Sequence, residues 1–394
     1  MKKWIVNLFT FHFIPIIISA VLTVVALFFF DKHLETKAPE SILIQGQQLM
    51  LRGTNANFEA GNQTELELAG NLKNKKSITL FGSSELGVFA YSPYFFLPDS
   101  LQIPTVAFGH AHHQSFAMFC ELLAMQKELK NAKICIMVSP GWFETEGTNI
   151  EAFLEFVRPN FMFSIINNTS ISPDYKLEIG KFISENINLI DQPSQSILYF
   201  DNLYKTKDFK LFNGIIKKLN TGKRVNYEVK IAANNLKKTG KVNWNSSENR
   251  IQKGFVSAIK TNKSYISDEY YTKFLLDASC EYKKGTTNTF NVSTNKELAQ
   301  FKLLVQLLKE YKCNASFVIQ PLNPYHFDGL ENYKEIISET RHIIQENGFP
   351  CLNMFVTDKS IYQPGTLTDV MHLGDYGWMK VNEFLVKTYY PEKL

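Results

Sequence analysis

Apolar positions fall along this 394-residue chain in two contrasting patterns, one long run followed by many short ones. From Trp4 to Phe30 no Asp, Glu, Lys or Arg interrupts the chain, and IPIIISAVLTVVALFFF is apolar almost throughout. A helix rises about 1.5 Å per residue, so about 20 apolar residues cross a hydrocarbon core about 30 Å thick. The run is long enough to span with some tilt, and Pro15 is tolerable near the start of such a helix. A secretory signal would carry a shorter apolar region and a small-residue cleavage site, whereas FFFDKHLE follows here. Lys2 and Lys3 precede the run and favour an N-terminus held inside. The expected layout is a cytoplasmic start with one transmembrane anchor over 1–33, a polar stalk over 34–75 and an extracytoplasmic domain over 76–394.

The short runs alternate with helical spacing. KSITLF (76–81) ends at Gly82, IPTVAF (103–108) at Gly109, and KICIMV (133–138) at Ser139-Pro140-Gly141. Between the last two, Gln114 to Lys130 places Phe116, Phe119, Leu122, Leu123 and Met125 on one side of a helix. Near the C-terminus a helix at about 296–311 leads to ASFVIQ (315–320). A second at about 331–347 leads to CLNMF (351–355). This alternation predicts an α/β fold, a parallel sheet with helices on both faces. In such sheets ligands bind at the carboxyl ends of the strands, so chemistry is sought in the residues that end each run.

Residues from about 160 to 290 break the alternation. They are rich in Asn and Lys, carry aromatics such as Tyr199, Phe200, Tyr204, Phe209 and Phe212, and predict a mostly helical insertion. KKLNTGKR (217–224) reads as a solvated basic loop. The net charge of +4, with both signs interspersed, gives no footprint for nucleic acid but suits an anionic cell surface. The cysteines are Cys120, Cys135, Cys280, Cys313 and Cys351. Their odd number and wide spacing argue against a disulfide framework or a zinc knuckle. Four of them, all but Cys280, sit among apolar residues, as buried thiols do. An oxidising compartment would still permit one disulfide.

Two short motifs carry candidate chemistry. In Gly82-Ser83-Ser84-Glu85-Leu86 a serine follows a strand, where a tight turn exposes its hydroxyl to a reacting group. The same residues also suit a helix cap with Glu85 in the first turn. In Asp369-Val370-Met371-His372 the carboxylate and imidazole can project from one short turn, the arrangement a serine base requires. His372 also reads as an ordinary buried histidine. His110, His112 and His113 form H-x-H-H, but no nearby carboxylate or cysteine completes a zinc set, and no metal is expected. Trp142, Phe143 and Trp378, near strand ends, suit either an acyl pocket or the sealed edge of a core.

Taken together, the early G-x-S and the late D-x-x-H resemble the SGNH (GDSL-like) hydrolases, in which the serine comes first and Asp and His last. More specifically, the chain resembles the DltD family of the teichoic acid D-alanylation system. The matching pieces are the N-terminal run, FGSSEL (81–86), GHAHHQSF (109–116), SPGWF (139–143), QPLNPY (320–325) and DVMHLGDYGW (369–378). Residues 160–290 match nothing residue by residue. The resemblance implies an SGNH-like three-layer α/β/α fold. It implies Ser84 as nucleophile, Ser83 standing where G-D-S has Asp, His372 as general base and then acid, and Asp369 orienting it. It places Gly109, Gly141, Trp142 and Asn323 along the oxyanion and substrate-lining edge, with the backbone N–H groups of Ser84 and Gly109 as oxyanion donors. SPGWF lacks the Asn of ordinary SGNH esterases.

The function so implied is serine-dependent D-alanyl transfer onto teichoic acid or a related surface polymer, outside the cell membrane and without a cofactor. The implied partners are a membrane-bound acyltransferase of the D-alanylation system and a D-alanyl carrier protein. Two other classes remain open at this stage. One is an SGNH esterase that deacylates a surface glycan; the other is a non-catalytic, membrane-tethered adaptor for the carrier and the acyltransferase.

Overall fold

Strands β1 (Ile78–Phe81), β2 (Thr105–Phe108), β3 (Lys133–Val138), β4 (Asn314–Ile319) and β5 (Cys351–Asn353) each lie on an expected apolar run. They form one five-stranded sheet in the order β2-β1-β3-β4-β5, with every neighbouring pair parallel. The structure is a computed structural model. It describes residues 68–86, 91–109, 111–144, 147–207, 242–276, 279, 281–289 and 291–394, with short pieces at 14–16, 18–19, 21–23, 41–44 and 228–231.

The sheet is covered on both faces, which is why its strands are apolar at every second position in both senses. Along β3, Ile134, Ile136 and Val138 enter one core cluster while Cys135 and Met137 enter the other. The first cluster packs beneath helices α2 (Ser115–Ala124), α8 (Lys296–Glu310) and α9 (Lys334–Glu346). The second packs beneath α1 (Pro93–Leu101) and α10 (Asp375–Tyr389). The chain leaves β1 for β2 by way of α1 and returns across β1 to β3 by way of α2, on the opposite face. The sheet order therefore reverses at β1, and a crevice opens beyond its carboxyl end.

The expected helix over 114–130 is two pieces, α2 and a turn at Gln126–Leu129, broken at Met125. Every residue of α2 is buried, Glu121 included. A helix apolar on all sides needs a second cover, and the insertion supplies it together with the short helix just ahead of it. Helices α3 (Ile150–Phe156), α4 (Pro159–Asn167), α5 (Pro173–Asn186) and α6 (Gln195–Thr206) form an outer layer in which Phe116 meets Phe182 at 4.5 Å between ring centroids. The insertion then crosses to the opposite face, where α7 (Trp244–Ala258) lies by α10. It ends in irregular chain that includes the pair Gly285–Thr286 with Phe327–Asp328. Among its described residues the insertion is thus mostly helical up to Thr206 and irregular near its end. KKLNTGKR (217–224) lies outside the described residues.

Leu68 and Leu72 are buried in the first cluster, so packed chain begins ahead of residue 76. A strand at Ser41–Ile44 pairs in parallel with Glu228–Ile231. Most of the run Trp4–Phe30 lies outside the described residues. Among the described residues no helix is long and apolar enough to cross a membrane, so the expected span finds no support there. Cys120, Cys135, Cys313 and Cys351 are free, and burial pushes the thiols of Cys135 and Cys313 up to about 12; Cys280 lies outside the described residues.

One buried carboxyl ties these layers together. Glu297, in the first turn of α8, accepts the Ser115 N–H at 3.1 Å and lies 3.4 Å from Gln114 Nε2 at the start of α2. Burial pushes its pKa up to about 8, against the lowering effect of Ser115. A raised carboxyl pKa means that folding penalises the charged form. Stability is full below the unfolded value near 4.5 and falls as pH rises towards 8. Glu297→Gln keeps an acceptor for Ser115 and removes the charge. It is expected to stabilise the protein by about 1–3 kcal/mol at pH 8 and by almost nothing at pH 4, read by urea denaturation at both.

Candidate active site

Parallel strands bring Gly82, Gly109, Ser139–Gly141 and Gln320–Asn323 to the same edge of the sheet. Ser84 stands there on the turn after β1, exposed, while Ser83, Glu85 and Leu86 around it are buried. No helix begins at Glu85: residues 83–85 form a bend and turn. Glu85 folds back instead, and its Oε1 accepts the Ser83 N–H at 2.6 Å. Burial pushes the Glu85 carboxyl up, while the backbone N–H groups of Ser83 and Glu85 and the nearby His372 pull it down.

Asp369 and His372 arrive from the far end of the chain on a tight loop ahead of α10. The loop is closed by the Leu367–Leu373 bridge and by Thr368 N–H donating to His372 C=O at 2.9 Å. Asp369 Oδ1 accepts the N–H groups of Met371 at 2.8 Å and His372 at 2.7 Å. Its Oδ2 lies 2.7 Å from His372 Nδ1, and His372 Nε2 lies 3.0 Å from Ser84 Oγ. The carboxylate accepts from the ring, so Nδ1 carries a proton and Nε2 presents a lone pair to the hydroxyl. The Asp369 side chain is 9% exposed and the His372 side chain 28%, which shields the orienting group and leaves the base reachable.

Burial opposes charge on both partners, and each prevails by the other. The hydrogen bond and charge of His372, helped by two backbone N–H groups, hold Asp369 below the ordinary carboxyl range. Burial alone would lower His372, but the hydrogen bond and charge of Asp369, with the charge of Glu85, hold it above the ordinary imidazole value. Such a linked serine, imidazole and carboxylate can deprotonate a hydroxyl for attack on a carbonyl carbon.

The remaining candidates divide. Gly109 has φ +135° and lies against Gly82, so a Cβ there would stand 1.9 Å from Gly82 O. Gly141 lies in the turn Pro140–Glu144 with open space beside it apart from Ser139 Oγ. Trp142 is buried in the first core cluster and Trp378 in the second, so both seal the core. Asn323 is fully buried and committed to the scaffold. Its Nδ2 donates to Ser264 C=O at 2.9 Å, its Oδ1 accepts the Tyr325 N–H at 2.8 Å, and its backbone N–H donates to Val370 C=O at 2.9 Å. It therefore braces the Asp369 loop. Ser267 N–H, from the insertion, also donates to Thr368 C=O at 3.0 Å. His112 is exposed and His113 buried, and His110 lies outside the described residues. Among the described residues no group of three His, Cys, Asp or Glu is placed to hold a metal ion.

Residues 58–390 match the family model described as DltD protein. The chain belongs to the DltD family. It is 23% identical over 358 residues to "Protein DltD" of Bacillus subtilis (strain 168), covering 82% of this chain and 85% of the relative. It is 22% identical over 341 residues to "Protein DltD" of Staphylococcus aureus (strain NCTC 8325 / PS 47), covering 80% of this chain and 81% of the relative. DltD membership thus extends through the insertion, which had no match by motif. Neither the G-S-S-E turn nor H-x-H-H revealed on its own that Glu85 and His113 are buried beneath the serine.

Proposed function

We propose that this DltD-family protein is an SGNH-type serine acyltransferase acting outside the cell membrane in the D-alanylation of teichoic acid. The observation that carries this reading is the 3.0 Å approach of Ser84 Oγ to an imidazole already oriented by Asp369. Ser84 Oγ attacks the carbonyl carbon of a D-alanyl donor while its proton passes to His372 Nε2. The tetrahedral oxyanion accepts from the N–H groups of Ser84 and Gly109. His372 then returns the proton to the departing group, leaving a D-alanyl ester on Ser84. A polymer hydroxyl attacks that ester, its proton goes to His372, and the acyl group leaves on the polymer as Ser84 recovers its hydrogen.

The N-terminal run serves in this reading as the anchor. Its described residues Ile16, Ile18, Val21 and Leu22 are more than half exposed, as suits contact with lipid. A tether raises the effective concentration of a membrane-bound acyltransferase and of the polymer to about millimolar. The test is mass spectrometry of the surface polymer from cells carrying the wild-type protein or Ser84→Ala. Ester-linked D-alanine is expected to disappear in the variant. Full retention would end the transferase reading, and turnover of small acetyl esters in place of transfer would favour a deacylating esterase.

A further inference from the structure

The peptide unit that joins Gly82 to Ser83 is held at both of its polar groups by buried, titratable side chains. On one side His113 Nδ1 lies 3.2 Å from Gly82 C=O. On the other, Glu85 Oε1 accepts the Ser83 N–H at 2.6 Å. His113 is 1% exposed and Glu85 2%. A carbonyl oxygen can only accept, so His113 Nδ1 carries a proton. The other ring nitrogen, Nε2, lies 2.8 Å from Glu121 Oε2 on α2. The ring is sandwiched by apolar neighbours, stacked on Phe156 at 4.0 Å and 13° and tilted over Phe81 at 6.1 Å. Imidazole plane, tautomer and distance are therefore all set by groups that belong to different elements.

The surroundings leave this peptide no other orientation. Gly82 lacks the Cβ that would lie 2.5 Å from Glu85 Oε1, and Gly109 lacks the one that would lie 2.7 Å from His113 Nδ1. If the peptide turned over, its oxygen would meet the Glu85 carboxyl and its N–H would face the His113 donor. Both contacts are repulsive in a dry site, where an unpaired polar group costs most. Ser84 follows directly after Ser83, so fixing this peptide fixes the start of the turn from which its hydroxyl projects.

We propose that His113 and Glu85 are positioning residues, a two-sided clamp on the Gly82–Ser83 peptide that aims Ser84 at His372. This rests on the reading of Ser84 as nucleophile. The clamp explains why a histidine and a glutamate, neither of them in contact with Ser84 Oγ, lie buried under the turn. It also gives the Glu121 carboxyl of the otherwise apolar α2 a task, that of holding the far side of the ring.

The test compares the rate of fluorophosphonate labelling with thermal stability in purified full-length protein. His113→Asn places an amide N–H near ring Nδ1, which keeps the bond to Gly82 and loses Glu121. His113→Gln reaches the position of Nε2, which keeps Glu121 and loses Gly82. The clamp predicts that His113→Asn labels within about threefold of wild type despite a lower Tm, while His113→Gln is about 30-fold slower at a Tm nearer wild type. Glu85→Gln retains an acceptor for Ser83 and should label nearly normally; Glu85→Leu should not. If the rate simply follows Tm across these variants, or if His113→Gln labels like wild type, the clamp is overturned. If Glu85→Leu does not fold, the His113 pair decides. Ser84→Ala separates the two claims: labelling that persists there overturns the nucleophile and the clamp with it. Ser84-dependent labelling that ignores His113→Gln overturns the clamp alone.

Discussion

Replacing His372 by alanine is expected to slow fluorophosphonate labelling of Ser84 by about 10³-fold or more, because His372 Nε2, 3.0 Å from Ser84 Oγ, is the group placed to take the serine proton. Asp369→Asn should be nearly as damaging, about 10²–10⁴-fold, although it is nearly isosteric. Its amide can donate as well as accept, so it no longer specifies which ring nitrogen carries the proton. The pH profile distinguishes the two roles. His372 acts as a base only when neutral, so labelling rises with pH and levels off above its pKa. Asp369 and Glu85 are the charges that raise His372, and burial opposes them. The wild-type midpoint should therefore lie above the ordinary imidazole value of 6.5. In Asp369→Asn the main raising effects are gone while burial remains, so the midpoint moves down as the plateau falls. Tyr270 and Tyr362 also face Asp369, but burial raises both phenols, which keeps them neutral throughout this range. A midpoint unmoved by Asp369→Asn would mean that the carboxylate does not act through His372.

The five strands were legible because a parallel sheet buried on both faces needs short uninterrupted apolar runs, and each run ends at Gly, Pro, Ser or Asn where the chain turns. Helices α8 and α9 were legible from their one-sided spacing. Helices α1, α3 and α10 were not legible. In α1 the periodicity is blurred by Pro98, α3 is only two turns long, and α10 carries Gly377 and Asn382 among its buried positions. The outer layer was the harder case. Nothing in its own sequence says that α4, α5 and α6 will cover α2, although α2, apolar on every side, asks for such a cover. At the site, the spacing of Asp369 and His372 placed both on one turn, but what holds that turn was invisible. Asn323 and Ser267 come from distant segments and hold the turn through backbone N–H groups that donate to Val370 and Thr368 C=O, which leave no residue-type signature. Trp142 reads from sequence as a lining residue because it follows a strand end. Its side chain turns inward because a large apolar surface gains more from burial than from exposure at the edge.

Gly109→Ala is expected to be the most damaging alanine substitution among the described glycines, with a loss of about 3–5 kcal/mol in stability. The backbone there has φ +135°, which L side chains rarely adopt. Relaxation at φ alone would not suffice, because the new Cβ would stand 1.9 Å from Gly82 O and 2.9 Å from Gly82 C. Both are backbone atoms at the end of β1, and no rotamer change moves them. The added carbon must push β2's end away from β1, through the peptide that His113 and Glu85 grip, so labelling of Ser84 should fall with stability. Gly82→Ala is a gentler insult, since its nearest neighbour at 2.5 Å is the tip of the Glu85 side chain. Gly254→Ala provides the opposite case. It lies exposed within α7 with nothing within 4 Å of the new Cβ, so alanine should gain about 0.5–1 kcal/mol from helix propensity. Denaturant melts of the three variants thus separate a general intolerance of substitution from a specific backbone contact. A Gly109→Ala protein that melts with Gly254→Ala would mean that the close approach of β1 and β2 at their carboxyl ends is not maintained in solution.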